Sequence, residues 1–162
     1  MKKEDIIETF NLLQTDEKAK KIFDADISAR IPYRLHCCVY NHDREVWVED
    51  DILYNYDLGG NCQTLKILNE RGACLMYYQI RPYLRPMSSM TEDEKQEMHR
   101  LLSPTGTATY QNTGIATPLS HFGDFIPYEY MARVLNWLNA HHFDYDGLIE
   151  KGLALEAPEG MY

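Results

Sequence analysis

Two clusters of side chains in this sequence could do chemistry. The first is His36-Cys37-Cys38, with His42, Cys62 and Cys74 in the same half of the chain. Imidazole and thiolate are zinc ligands, and a Cys–His pair is also the start of a nucleophilic site. On a strand, successive side chains point to opposite faces, so His36 and Cys38 share one face and Cys37 takes the other. The second cluster is His141-His142-Phe143-Asp144-Tyr145-Asp146. Its His141, His142 and Asp144 could serve a hydrolase or a metal-dependent enzyme.

Each cluster also has a plainer reading. Structural zinc usually shows a C-x-x-C pair, and this sequence has none. The second cluster falls where a helix should end, and histidine there is favoured by the helix dipole alone. Asp144 would then cap the following turn. The sequence also lacks G-x-S-x-G, a P-loop and G-x-G-x-x-G. The residues alone therefore assign no catalytic residue, no bound metal and no cofactor. His36, Cys38, His141, His142 and Asp144 remain the metal candidates. The binding candidates are aromatic: Trp47, Tyr54, Tyr56 and Tyr110. Twelve tyrosines stand against five phenylalanines, and tyrosine suits half-buried faces and interfaces alike.

The elements that must position these residues fall into two regimes, joined by residues 79–102. Residues 2–23 have helical spacing, with Ile6, Phe10 and Leu13 on one stripe. Thr15-Asp16-Glu17 predicts a break and a second short helix over 16–23. Residues 28–80 alternate as β-structure. Tyr33, Leu35, Cys37 and Val39 are expected on one face, and Arg34, His36, Cys38 and Tyr40 on the other. About five short strands, closely spaced, must curl to bury a face. A small, strongly bent antiparallel sheet or an SH3-like, partly open barrel is expected. Asp50-Asp51 interrupts one strand pair. Pro82 and Pro86 are expected to close the β-regime, since proline suits an edge or an exit.

Thr91 with Glu94 three residues later predicts a capping box and a helix over 91–102. Residues 103–126 lack a helical period and are expected to be a loop with a little extended structure, the alternative being a hairpin with strands over 107–110 and 114–117. Residues 127–141 predict a helix whose stripe is Met131, Val134, Leu135 and Leu138, with Arg133, Asn136 and Asn139 in water. The last five residues are expected to be a free tail. The fold class is α+β, as a single compact unit over 1–162: helices in 1–27, β-structure in 28–86 and a helical part in 87–162.

The chain has 162 residues and a net charge of −9. The acid is spread along it and no basic stripe appears. Affinity for nucleic acid rests mainly on neutralising phosphates, so direct nucleic-acid binding is not expected. Met1-Lys2-Lys3 is followed by acids, which does not match a secretory signal. No apolar run is long enough to span a membrane. The four cysteines are then expected to be reduced thiols in a cytoplasmic protein.

Two stretches carry a resemblance. Residues 82–94, PYLRPMSSMTEDE, and residues 137–162, WLNAHHFDYDGLIEKGLALEAPEGMY, resemble segments shared by small uncharacterised proteins of gut Bacteroidetes and of their phages or integrated elements. The family pattern often places Arg after the Asp-Tyr pair, where this chain has Asp146, a reversal of charge. The resemblance implies a phage or mobile-element setting and carries no activity, cofactor or catalytic residue. The function expected first is a non-enzymatic protein-interaction module with a protein partner. The alternatives are a small hydrolase or metal-dependent enzyme, and an acidic inhibitor that mimics nucleic acid.

Overall fold

The structure is a computed structural model that describes residues 3–41, 46–57, 66–69, 74–76, 79–102 and 128–162. The loop expected over 103–126, Tyr110, His42 and Cys62 lie outside the described residues. Helix α1 (Lys3–Thr15) is followed at once by α2 (Glu17–Arg30). Asp16 caps α2, its carboxylate accepting from the amide of Ala19 at 2.9 Å. Thr15 instead closes α1, donating to the Asn11 carbonyl.

Helix α2 runs about two turns beyond the expected end, so residues 28–33 are not extended, and Tyr33 is exposed rather than on the face of Leu35. Ala19, Phe23 and Ile27 are buried at i, i+4 and i+8, which keeps one apolar stripe on the core. Asp26 and Arg30 continue that face as an i, i+4 ion pair. A 3-10 turn (Ile31–Tyr33) with proline at its start ends the helix. Arg34 then turns the chain with φ 60, a left-handed conformation that non-glycine residues rarely adopt.

The strands are β1 (His36–Asn41), β2 (Val46–Asp57), β3 (Lys66–Asn69), β4 (Cys74–Met76) and β5 (Ile80–Pro86). Strands β1 to β5 pair antiparallel where they meet, in the order β4-β3-β2-β1-β5. Strand β2 continues through Asp50-Asp51. Its pairing with β1 shifts register between Cys37 and Val39, so an irregularity in the ladder replaces the expected interruption. Strand β5 runs through both prolines, with Pro82 opposite Cys37. Two short strands from the C-terminal part, β6 (Phe143–Asp144) and β7 (Leu155–Glu156), join β5 in parallel. The α+β class is as expected. The sheet is open and mixed rather than barrel-like: its path ends at β4 and at β6. The part expected to be helical therefore also supplies sheet.

Leu35, Cys37 and Val39 point into the larger core with Leu13, Phe23, Ile27, Leu53, Ile80, Leu84, Leu148 and Leu153. Cys38 and Tyr40, on the other face, are also buried. A second core joins α3 (Glu92–Leu102) to α4 (Tyr128–Ala140) through Met90, Met98, Trp137, Leu138 and Phe143. No helix of the described residues is long and apolar enough to cross a membrane.

The capping box at the start of α3 is present. The Thr91 hydroxyl accepts from the Glu94 amide at 3.2 Å, and Glu94 accepts from the Thr91 amide at 2.8 Å. Arg85 adds a bidentate pair to the same carboxylate, at 2.7 and 3.0 Å. That pair, with the Thr91 contacts, holds the Glu94 carboxyl down to about 2 against the opposing effect of its own burial. One carboxylate thereby fastens β5 to α3.

Helix α4 buries Leu138 and packs Val134 on the second core as expected, but its face is rotated at Leu135 and Asn139. Leu135 is 38% exposed, while Trp137, Leu138 and Asn139 are buried. Arg133 and Asn136 are exposed as expected. The face rotates because the end of α4 packs against α3, α2 and β6 together. Asn139 can enter because the Tyr145 hydroxyl donates to its Oδ1 at 2.8 Å. Leu138→Ala should therefore destabilise by about 2–5 kcal/mol, whereas Leu135→Ala should cost less than about 1 kcal/mol. Urea unfolding of the two variants checks the order; a larger loss at Leu135 would refute the assigned face.

Candidate functional site

The segment that follows α4 gathers most of the ionisable side chains that the sequence singles out. The helix stops because His142 takes φ 56, the left-handed conformation usual just past a helix end and usually filled by glycine. Its amide bonds to the Asn139 carbonyl at 3.1 Å, and its own carbonyl accepts from the Arg85 amide at 2.8 Å. That last bond starts the parallel pairing of β6 with β5.

The His142 ring is buried. Its Nε2 lies 3.1 Å from the Tyr33 carbonyl, so the neutral ring carries its hydrogen there and donates. Nδ1 has no hydrogen-bond partner. The Tyr162 ring stacks on His142 at 3.9 Å, and His36 meets Tyr162 edge-on at 5.5 Å. The Tyr162 hydroxyl donates to the Tyr83 carbonyl at 2.9 Å and accepts from the His36 amide at 3.2 Å. The end of the chain is thus fastened to β1 and β5, and the expected free tail is not found.

His141 turns away from this group. Its ring stacks on Trp137 at 4.0 Å, and Nδ1 lies 2.8 Å from the Trp137 carbonyl. Asp144 caps the next turn, as the sequence suggests: its two oxygens accept from Leu148 at 2.7 Å and Ile149 at 2.9 Å. Cys38 is buried on β1 without a disulfide. The structure therefore brings His36 and His142 together around Tyr162, and leaves Cys38, His141 and Asp144 apart from them. Among the described residues, no three His, Cys, Asp or Glu side chains converge to hold a metal. Trp47, Tyr54 and Tyr56 lie on β2, with Trp47 opposite Tyr40 and Tyr56 opposite Ile67 in register. Their side chains lie outside the described residues.

The strongest polar arrangement is one that the sequence analysis passed over. Arg30 and Asp26 side chains are fully buried. Arg30 Nε donates to Asp26 Oδ2 at 2.7 Å, and Nη2 to Asp26 Oδ1 at 2.6 Å and to the Phe143 carbonyl at 2.8 Å. The guanidinium lies 5.0 Å from the Tyr145 ring centroid. Burial pushes the Asp26 carboxyl up, opposed by Arg30. Burial also raises Tyr145 and Asp146. The chain signal was present: Asp26 and Arg30 are four residues apart on the face that continues Ala19, Phe23 and Ile27.

Burial, with the nearby positive charge of Arg30, lowers the His142 pKa from 6.5 to about 4, although the bond to Tyr33 works the other way. The folded chain then takes up this proton at a lower pH than the unfolded chain. The neutral-ring contribution is whole above about pH 6.5 and shrinks as pH falls toward 4. Thermal melts between pH 7 and pH 4 should show a smaller loss of Tm for His142→Gln than for the natural chain. Parallel profiles would remove His142 from the acid response.

Comparison with known proteins finds no family model, no curated protein and no solved structure that matches this chain.

Proposed function

We propose that the protein is a non-enzymatic protein-interaction module of phage or mobile-element origin, acting on a protein partner in the cytoplasm. The observation that supports this reading is the use of the nominated side chains. Asp144 gives both oxygens to backbone amides, His142 keeps its one unpartnered nitrogen, Nδ1, in a buried ring stacked on Tyr162, and His141 is stacked on Trp137 with Nδ1 at the Trp137 carbonyl. A catalytic base or a metal ligand has to offer a lone pair to something outside the chain. These groups instead hold the chain that follows α4 in place.

Large apolar side chains meanwhile stand in water as pairs on single helix sides. Ile7 and Phe10 do so on α1, and Tyr128, 86% exposed, with Leu135 on α4. Exposed aliphatic and aromatic groups of this kind are what protein interfaces use.

The test is affinity capture from the native host with four proteins: the natural chain, Ile7→Ser, Tyr128→Ser and His141→Gln. The expected result is one captured partner that is lost with Ile7→Ser or Tyr128→Ser, at unchanged Tm, and kept with His141→Gln. The enzyme reading predicts the reverse pattern: hydrolytic turnover, or one equivalent of zinc, that disappears in His141→Gln.

A further inference from the structure

We infer that the slot between β1 and β5, over the His142 ring, is a recognition site for a tyrosine side chain: Tyr162 fills it in cis, and a tyrosine on a partner segment takes its place when residues 157–162 swing away. The inference rests on the reading of the protein as an interaction module and names what the partner presents. Strands β1 and β5 pair from Val39 opposite Ile80 to Cys37 opposite Pro82. The next step of that ladder sets His36 against Tyr83. There the Tyr162 hydroxyl enters, accepting from the His36 amide at 3.2 Å and donating to the Tyr83 carbonyl at 2.9 Å. One O–H thus bridges the two strands where a direct ladder bond is otherwise made. The backbone prepares the place. Leu35 turns its carbonyl to β2, where the Leu53 amide donates to it at 3.0 Å, so the His36 amide, one residue on, faces the β5 side. Leu84 turns its carbonyl to the Ala157 amide at 2.8 Å, so the Tyr83 carbonyl points the other way, toward His36.

The slot asks for two things at once: an oxygen that both accepts and donates, and a flat ring behind it. A phenol supplies both. The Tyr162 and His142 rings are 3.9 Å apart with 20° between their planes, and His36 closes the side edge-on at 5.5 Å. Serine and threonine carry the hydroxyl without the ring, and phenylalanine the ring without the hydroxyl. The occupant is also placed where it can leave. His142 beneath it is 3% exposed, whereas Tyr162 is 39% exposed. The chain that leads to Tyr162 makes a turn in solvent: Pro158, Glu159 and Gly160 are exposed, and the Met161 amide donates to the Pro158 carbonyl at 3.2 Å. Gly160 holds φ 77, with nothing within 4 Å of where a Cβ would stand. A glycine in open space is a pivot for the strap it belongs to. Displacing the strap uncovers the His142 face, one amide and one carbonyl, which is the set that a second tyrosine needs.

The test titrates the natural chain and Tyr162→Ala, both at full length, with an N-acetylated peptide of residues 157–162, with the same peptide carrying Tyr162→Phe, and with p-cresol. The amide shifts of His36 and Tyr83 report binding. The natural peptide is expected to saturate the slot of Tyr162→Ala. The peptide with phenylalanine should bind at least about tenfold more weakly, the order expected for two lost hydrogen bonds. The natural chain should bind the natural peptide about tenfold more weakly than Tyr162→Ala does, because the strap leaves the slot open in only a fraction of molecules. Should Tyr162→Ala fail to fold, Tyr162→Phe, which keeps the ring and loses the hydroxyl, carries the same comparison with the natural chain. No saturable binding, equal binding of the two peptides, or equal binding to chain and variant overturns the assignment. Saturation by p-cresol without the peptide makes the ligand a free phenol and overturns the partner segment. The titration uses neither Ile7 nor Tyr128 and no host extract, so this site and the capture of a partner can fail separately.

Discussion

Arg30→Ala should lower the unfolding free energy by about 3–5 kcal/mol, because it leaves the Asp26 carboxylate buried without its partner. Asp26 and Arg30 side chains are both at 0% exposure. The loss also removes one of two donors to the Phe143 carbonyl, which accepts from the Tyr145 amide as well. A typical domain holds about 5–15 kcal/mol in total, so the variant should populate unfolded chain at modest urea. The pair as a whole is a different quantity. One of its nitrogens, Nη1, has no hydrogen-bond partner, and desolvating two charges offsets most of their attraction. Asp26→Leu combined with Arg30→Met should therefore recover most of the loss, and the two single changes should be far from additive. Circular dichroism during urea unfolding measures all three. A cost under about 1 kcal/mol for Arg30→Ala would mean that the pair is open to water, and that α2 is not tied to the chain after α4.

That tie explains much of what was legible in the sequence and what was not. Local signals were read correctly wherever one short motif decides the outcome. Thr91 and Glu94 make their capping box, Asp144 caps the turn after it, and Leu35, Cys37 and Val39 share one face, which lies in the core, although Tyr33 does not join them. The failures share one cause: a distant partner changes what a residue can do. Pro82 reads as the end of a strand, yet β5 lies beside β1 and continues to Pro86. His142 and Arg34 occupy left-handed backbone that residue type alone would assign to glycine. Tyr162 reads as tail, but His142 and the Tyr83 carbonyl give it a stacking face and an acceptor.

The same cause separates the candidate site from the observed arrangement. His141, His142 and Asp144 were singled out because their side chains can do chemistry. They are where they are because a helix has to end, a strand has to pair with Arg85 and a turn has to be capped. Arg30 went unnoticed because its meaning lies 113 residues away, at the Phe143 carbonyl. An i, i+4 pair on an apolar stripe was the available signal.

Phe143→Ala should be the most damaging change in the second core, at about 3–5 kcal/mol. Phe143 has no exposed surface. Its ring stacks on Trp137 at 5.7 Å on one side, and the Arg85 guanidinium lies 4.2 Å from its centroid. Arg85 is the residue that also grips Glu94 at the head of α3. One ring therefore supports α4 through Trp137 and orients the cation that joins β5 to α3. Phe143→Leu separates the two roles. It retains most of the volume and removes the π face, so its cost should fall to about 1–2 kcal/mol. If the ring orients Arg85, then Phe143→Leu and Arg85→Met should couple by about 0.5–2 kcal/mol in a double-mutant cycle. Additivity within about 0.3 kcal/mol would mean that the ring and the guanidinium act independently. The Arg85–Glu94 pair would then form without help from the ring, and the large effect of Phe143→Ala would be cavity formation only.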